Sequence, residues 1–222
     1  MSSFAYRTKR EVATDLLREA IICGELAPGT RLVLEELSQR YNVSMTPIRE
    51  AFSLLESEGL IAQSPHKGAV VAGMDREDLL ELYAVRAAVE ELATLHGVPR
   101  LTEDELSAMS GFLDALEQFE GPQDGFLDID KQFHRVVYRA AGSRRWLETI
   151  ETLWQRSRRY MLAGTSISGA VPLLHADHRA ILQACRERDG ARAAAATRDH
   201  LKRSEERLLR ELRGGSNERS QR

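Results

Sequence analysis

From Arg7 to Cys23 apolar residues recur at Val12, Leu16, Leu17, Ala20 and Ile21, the spacing of one helix face, and Gly24 ends the run. Pro28-Gly29 reads as a turn, and Glu35 to Tyr41 as a short second helix with Leu37 and Tyr41 facing in. A third helix follows, with Thr46 able to cap it and Pro47 suited to its first position. Ile48, Ala51, Phe52 and Leu55 form its apolar face, and Gly59 stops it. The period then changes. Leu60 to Ser64 and Ala69 to Ala72 read as two short strands around Pro65-His66-Lys67-Gly68, a hairpin wing with a basic tip. Beyond Gly73 the strand signal stops. Six helical stretches run Asp75 to Gly97, Thr102 to Phe119, Gln123 to Ala141, Ser143 to Ala163, Pro172 to Arg188 and Gly190 to Leu212, with Gly or Pro in every break. The pattern predicts a mainly α chain: a winged helix-turn-helix over residues 1–74, an antiparallel six-helix bundle over 75–213, and a flexible tail over 214–222 without apolar content.

Helix-turn-helix followed by a wing is a DNA-binding constellation. Arg49, Ser53 and Glu56 lie opposite the apolar face of the third helix. Its open N-terminus offers backbone N–H groups and the positive end of a dipole to a phosphate. An ordinary bundle helix carries the same cap and stripe; the wing after it moves the reading to DNA. The formal net charge of −3 argues against a protein that coats nucleic acid nonspecifically, so contact must be local. The basic spots are the Arg7-Lys9-Arg10 arm, Arg49 and Lys67, so few per subunit that a homodimer on DNA is expected. A length of 222 residues, 42% hydrophobic and 29% charged, suits two packed soluble domains. With no run of about eighteen apolar residues and no apolar signal core, a cytoplasmic protein without a membrane partner is expected. Cys23 and Cys185 are too few and too isolated for a disulfide framework or a cysteine-based zinc site.

Polar residues at inward positions of the bundle are the informative ones. Leu127, Asp130, His134, Val137 and Ala141 share one stripe; Leu174, His178, Ile181 and Cys185 share another; Ala193, Ala196, Thr197, His200, Ser204 and Leu208 share a third. One Asp and three His from three helices thus point inward. A single inward histidine is more often a hydrogen-bonded core residue than a ligand. Four such groups together suit a divalent transition metal, zinc, nickel or manganese, and would be costly to bury without one. His175 falls off its stripe and reads as a surface residue, and His66 and His96 stand apart from the set.

Two stretches resemble a known family. Gly24-Glu25-Leu26-Ala27-Pro28-Gly29-Thr30-Arg31-Leu32, Val43 to Ala51, Glu58-Gly59-Leu60 and His66-Lys67-Gly68 resemble the N-terminal signature of the GntR superfamily of bacterial transcription regulators. The resemblance implies that Ser44, Thr46, Arg49, His66, Lys67 and Gly68 meet operator DNA, beside Arg7 from the basic arm. Met45 is a departure, standing where the family usually has a DNA-contacting Arg. Leu80 to Arg86 with Glu90, Asp130 to His134, His178 to Leu182 and Ala193 to His200 resemble, in order, the FCD ligand-binding domain of the FadR-type subgroup. Six helices rather than seven place the chain with the VanR-like members. That resemblance implies Asp130, His134, His178 and His200 as metal ligands, a carboxylate effector at open metal positions, and Arg86 as an effector-binding cation. The residues alone leave Arg86 equally readable as a salt-bridge residue, and leave Arg156, Arg158 and Arg159 as further inward candidates.

These readings describe a ligand-responsive transcription regulator rather than an enzyme. It would be a homodimeric repressor of a catabolic operon, with double-stranded operator DNA and a small organic acid as partners. Two other classes fit part of the pattern. A metal-dependent hydrolase or lyase bundle fused to a DNA-binding domain would use the His/Asp set to activate water, but no His-Glu-x-x-His motif or general-base pair accompanies it. A constitutive DNA-binding dimer would keep the metal as a purely structural element.

Overall fold

The computed structural model describes residues 8–22, 24–65, 67–73, 75–121, 123–165 and 170–219. Arg7, Cys23 and His66 lie outside the described residues. The chain divides into two compact units, Met1–Met74 and Asp75–Arg222.

In the first unit α1 (Lys9–Ile22), α2 (Leu34–Tyr41) and α3 (Met45–Ser57) precede a two-stranded antiparallel sheet of β1 (Ile61–Ser64) and β2 (Gly68–Val71). Asn42 closes α2 in the left-handed region at φ 52°, its N–H bonded to the Ser38 carbonyl, and so makes the turn. The third helix begins earlier than the sequence suggests. Ser44, extended at φ −61° and ψ 156°, holds the N-cap position, which leaves Thr46 and Pro47 second and third in the helix. First-turn N–H groups have no intrahelical acceptor, so proline is tolerated at any of these positions and does not fix the start.

Ala13, Leu17 and Ala20 of α1 join Ile48, Ala51 and Leu55 of α3 in one buried cluster, while Val12, part of the expected stripe, is exposed. The Arg18 guanidinium takes both oxygens of Glu58 at the end of α3, at 2.7 and 3.0 Å, and also pairs with Asp15. This bidentate grip sets α1 against α3 and so fixes the outer face of α3. The strands pair with Ile61 opposite Val71 and Ser64 opposite Gly68; Ile61 and Val71 are buried, and the wing tip projects as Lys67 and Gly68.

The second unit contains α4 (Arg76–Gly97), α5 (Glu103–Glu117), α6 (Gln123–Ala140), α7 (Arg144–Thr165), α8 (Ala170–Arg186) and α9 (Gly190–Arg219), with a single-turn 3-10 segment at Val98–Arg100. Asp75 caps α4 by accepting from the Glu77 and Asp78 N–H groups. Thr102 and Glu105 form a reciprocal capping box at α5. α4 packs on α6, α7 and α9, and α8 on α5 and α9, around buried Met109, Phe133, Val137, Ile181 and Ala193. The last helix runs on to Arg219, beyond Leu212 and into the predicted flexible tail. Gly214 and Gly215 cost about 1 kcal/mol each against alanine without breaking a helix, and the polar residues after them carry no periodicity to read. Among the described residues no helix is long and apolar enough to cross a membrane.

α4 and α6 meet closely at Gly97, where an added Cβ would stand 2.1 Å from the Val137 carbonyl oxygen. Gly97→Ala is expected to destabilise the bundle by about 1–3 kcal/mol, because the obstruction is backbone and cannot turn aside. A urea denaturation midpoint equal to that of the wild type would show that the two helices separate freely.

Candidate metal and effector site

α6 carries Asp130 and His134 one turn apart, α8 supplies His178 and α9 His200, and all four side chains are buried. One ring nitrogen from each histidine lies within 4.8 Å of the others. The ring centroids are 5.0 to 5.2 Å apart. His134 Nε2 and His178 Nε2 stand at 3.1 Å. A tetrahedral zinc ion with bonds of about 2.0–2.1 Å would set its ligand nitrogens about 3.3 Å apart, so the spacing fits an ion of that size. Asp130 Oδ1 reaches His178 Nε2 at 2.8 Å and His134 Nε2 at 3.9 Å, which places the carboxylate on one side of the trio.

The electrostatics suit a cation. Burial would raise the Asp130 pKa, but the hydrogen bond from His178 and the three neighbouring rings hold it well below the usual carboxylate range. Burial pushes His134 well below its ordinary value and lowers His200, so both rings favour the neutral form that ligates metal. Among the described residues His178 Nδ1 is buried without a hydrogen-bond partner, and the ring's polar contacts run through Nε2, toward the trio. His200 is oriented from behind: its Nδ1 lies 3.3 Å from Asp177, whose carboxylate also accepts from Arg203. A carboxylate behind a histidine fixes its tautomer and aims the other nitrogen, as outer-shell partners of metal sites do.

A cavity opens beside Asp130, His134 and His200. Arg86 lines it and is buried, yet it is also an ion-pair residue: its Nε donates to Glu90 at 2.8 Å. Glu90 further accepts from the Tyr138 hydroxyl at 2.7 Å and the Trp154 indole at 3.2 Å, and the Arg86 guanidinium lies over the Tyr83 and Trp154 rings. Burial would lower the Arg86 pKa; the Glu90 charge outweighs it and raises the value. The inward candidates on α7 do not line the cavity: Arg156 is exposed, Arg158 pairs with Asp128 and Arg159 with Asp78. Arg207 on α9 lines it instead. Its signal in the sequence is the spacing of His200, Ser204 and Arg207, which keeps one helix face.

His175 is half-buried rather than a surface residue: its ring stacks on Phe126 at 6.2 Å, and burial lowers its pKa. It stands outside the histidine trio. His96 is exposed against Trp146. The buried Cys185 thiol is pushed up to about 12 by burial, which makes it unreactive at neutral pH.

In the first unit Ser44, Thr46 and Arg49 are exposed around the open end of α3, and Lys67 and Gly68 at the wing tip. Among the described residues Arg49 and Lys67 form no ion pair, so both charges are free to meet phosphate or base edges. Met45, the first residue of α3, is 44% exposed.

Residues 9–71 match the family described as bacterial regulatory proteins, gntR family, and residues 81–203 match the FCD domain. The chain is 29% identical over 194 residues to the Nta operon transcriptional regulator of Aminobacter aminovorans, covering 86% of this chain and 90% of that protein. It is 29% identical over 190 residues to the HTH-type transcriptional repressor RspR of Escherichia coli (strain K12), covering 84% and 82%. The structure of McbR/YncC from E. coli aligns with a TM-score of 0.71 at 21% identity, over 93% of this chain and 99% of that one, which shows a common fold.

Proposed function

Since the chain belongs to the gntR family of bacterial regulatory proteins and carries an FCD domain, and is a DNA-binding transcription regulator rather than an enzyme, we propose that it is a cytoplasmic, dimeric repressor of a catabolic operon. A small carboxylic acid, bound on a metal ion in the helical unit, controls its operator affinity. The observation that carries this reading is the buried Asp130, His134, His178 and His200 cluster opening onto a cavity that also holds two arginines.

Asp130, His134, His178 and His200 would hold the ion. The bound metal would supply a Lewis-acidic point for an oxygen ligand; zinc, nickel or manganese all suit the donor set. The chain's own residues do the rest. Asp177 orients His200, and Glu90 keeps Arg86 charged at the cavity wall. The acid can regulate only by binding the DNA-competent and DNA-incompetent states of the dimer unequally. A structural metal in a constitutive binder would leave the cavity beside it without a use.

The dimer has a candidate face. α4 exposes Ala84, Val85, Ala88, Leu92 and Leu95 at helical spacing, an apolar stripe on the side away from its buried Leu82, Arg86, Glu90 and Ala93. A two-fold copy of such a stripe is self-complementary.

On the DNA side, Arg49→Ala is expected to weaken operator binding by roughly 1–3 kcal/mol if the guanidinium reads a base. The bundle should keep its metal and its melting temperature. Fluorescence anisotropy on an operator fragment selected from random DNA by the protein itself measures this; undiminished affinity would remove Arg49 from the contact surface.

A further inference from the structure

The two arginines of the cavity are not equivalent. Arg86 has a buried counter-charge: its Nε pairs with Glu90, which also accepts from Tyr138 and Trp154. Arg207 is buried to 5% exposure, lines the same cavity, and among the described residues donates only to the Ser204 hydroxyl at 2.8 Å. The largest acidic influence on it, Asp177, is already shared between His200 and Arg203. Arg203 and Arg210 add further positive charge around it. Burial lowers the Arg207 pKa, the mark of a cation whose charge is not repaid by its surroundings. A buried guanidinium in this condition is costly until an anion arrives.

Arg207 also stands apart from the histidine cluster. It lies seven residues after His200 on α9, so about 10 Å of helix rise separates the two along one face. Leu127, Leu174, Leu201 and Leu208 line the same cavity and give it an apolar wall beside the paired Arg86 and Glu90. A ligand spanning this cavity meets a metal-type donor set at one end, hydrocarbon in the middle and a bare cation at the other.

We propose that the effector is a dicarboxylate with an apolar spacer, one carboxylate taken at the histidine cluster and the other by Arg207 with Ser204. The assignment rests on the reading of the bundle as an effector-binding unit and narrows the ligand class within it. Arg86 is then a wall of the site, and Arg207 the residue that selects two-headed acids over one-headed acids.

The test uses the full chain, calorimetric titration with the dicarboxylates from succinate to suberate, and hexanoate as the one-headed counterpart of adipate. At least one dicarboxylate is expected to bind tighter than hexanoate by about 10- to 100-fold, the worth of one charge-assisted pair. Arg207→Met should remove that preference, and Arg207→Lys should restore part of it. Metal content by mass spectrometry should stay at the wild-type level in both. The ligand-free melting temperature of Arg207→Met should not fall, whereas an arginine with a merely structural role would lower it. Equal binding of hexanoate and every dicarboxylate, no binding by any of them, or a preference that survives in Arg207→Met overturns the proposal. In any of these cases, intact metal content together with an operator response to another acid leaves the regulator reading standing, whereas a metal-free protein with no effector response removes that reading as well.

Discussion

His178→Ala is expected to empty the metal site. The ring is wholly buried, it is the histidine closest to Asp130, and its Nε2 faces both Asp130 and His134. Removing it leaves at most three ligands, with the carboxylate no longer tied to the trio. An ion held at 100 to 1,000 times its dissociation constant contributes about 3–4 kcal/mol of stability by mass action. Its loss should lower the melting temperature by roughly 5–15 °C for a domain of this size. Part of any fall comes from the cavity left by the ring, so a chelator provides the control: it should lower the wild-type value and leave His178→Ala unmoved. His134→Ala and His200→Ala should behave alike, while His175→Ala, outside the trio, should keep its metal. A His178→Ala protein with full metal content would dismiss the ligand assignment.

A second large effect is expected from Leu92→Glu combined with Leu95→Glu. Both side chains are exposed on α4, at 39% and 41%, so carboxylates there cost the isolated subunit little. Two pairs of charges would face each other across a two-fold axis, and like charges desolvated together oppose association by several kcal/mol. Sedimentation should show a dimer for the wild type and a monomer for the double variant. Operator affinity should fall on the order of 100-fold or more, because the second half-site is then no longer tethered to the first. A double variant that sediments as a dimer would move the interface to another face.

Much of the site was legible because it obeys helix periodicity. Asp130 and His134 are four residues apart, and the inward stripes around His178 and His200 are marked by leucine, isoleucine and alanine neighbours, so their common direction follows from spacing alone. What was not legible depends on partners far away in sequence. Glu90 gains its place from Tyr138 and Trp154, 48 and 64 residues on, and nothing local announces that a glutamate will be buried. Asp177 acquires its role only when α8 meets α9. Arg207 continues the stripe of His200 and Ser204, but an arginine near the end of a charged helix reads as a solvated side chain until burial is known. α4 blurs the usual rule: its inner face holds Arg86 and Glu90 beside Leu79, Leu82 and Tyr83, while Val85, Leu92 and Leu95 lie exposed, so hydrophobicity alone does not separate its two faces. The start of α3 is ambiguous in the sequence for a different reason, since Ser44 and Thr46 can both cap a helix and Pro47 is acceptable throughout the first turn.

The most direct test joins the metal to the DNA response in one titration. The purified chain is assayed for bound metal, and its affinity for a selected operator is measured by anisotropy with and without a panel of small mono- and dicarboxylic acids, before and after chelator treatment. About one divalent ion per chain is expected, together with an acid that shifts operator affinity by roughly 5- to 150-fold, the usual range of coupling between two sites. Chelation should abolish the shift while basal operator binding persists. A metal-free protein, or an acid response of the same size after the metal has been removed, would contradict control of this regulator through a metal held by Asp130, His134, His178 and His200.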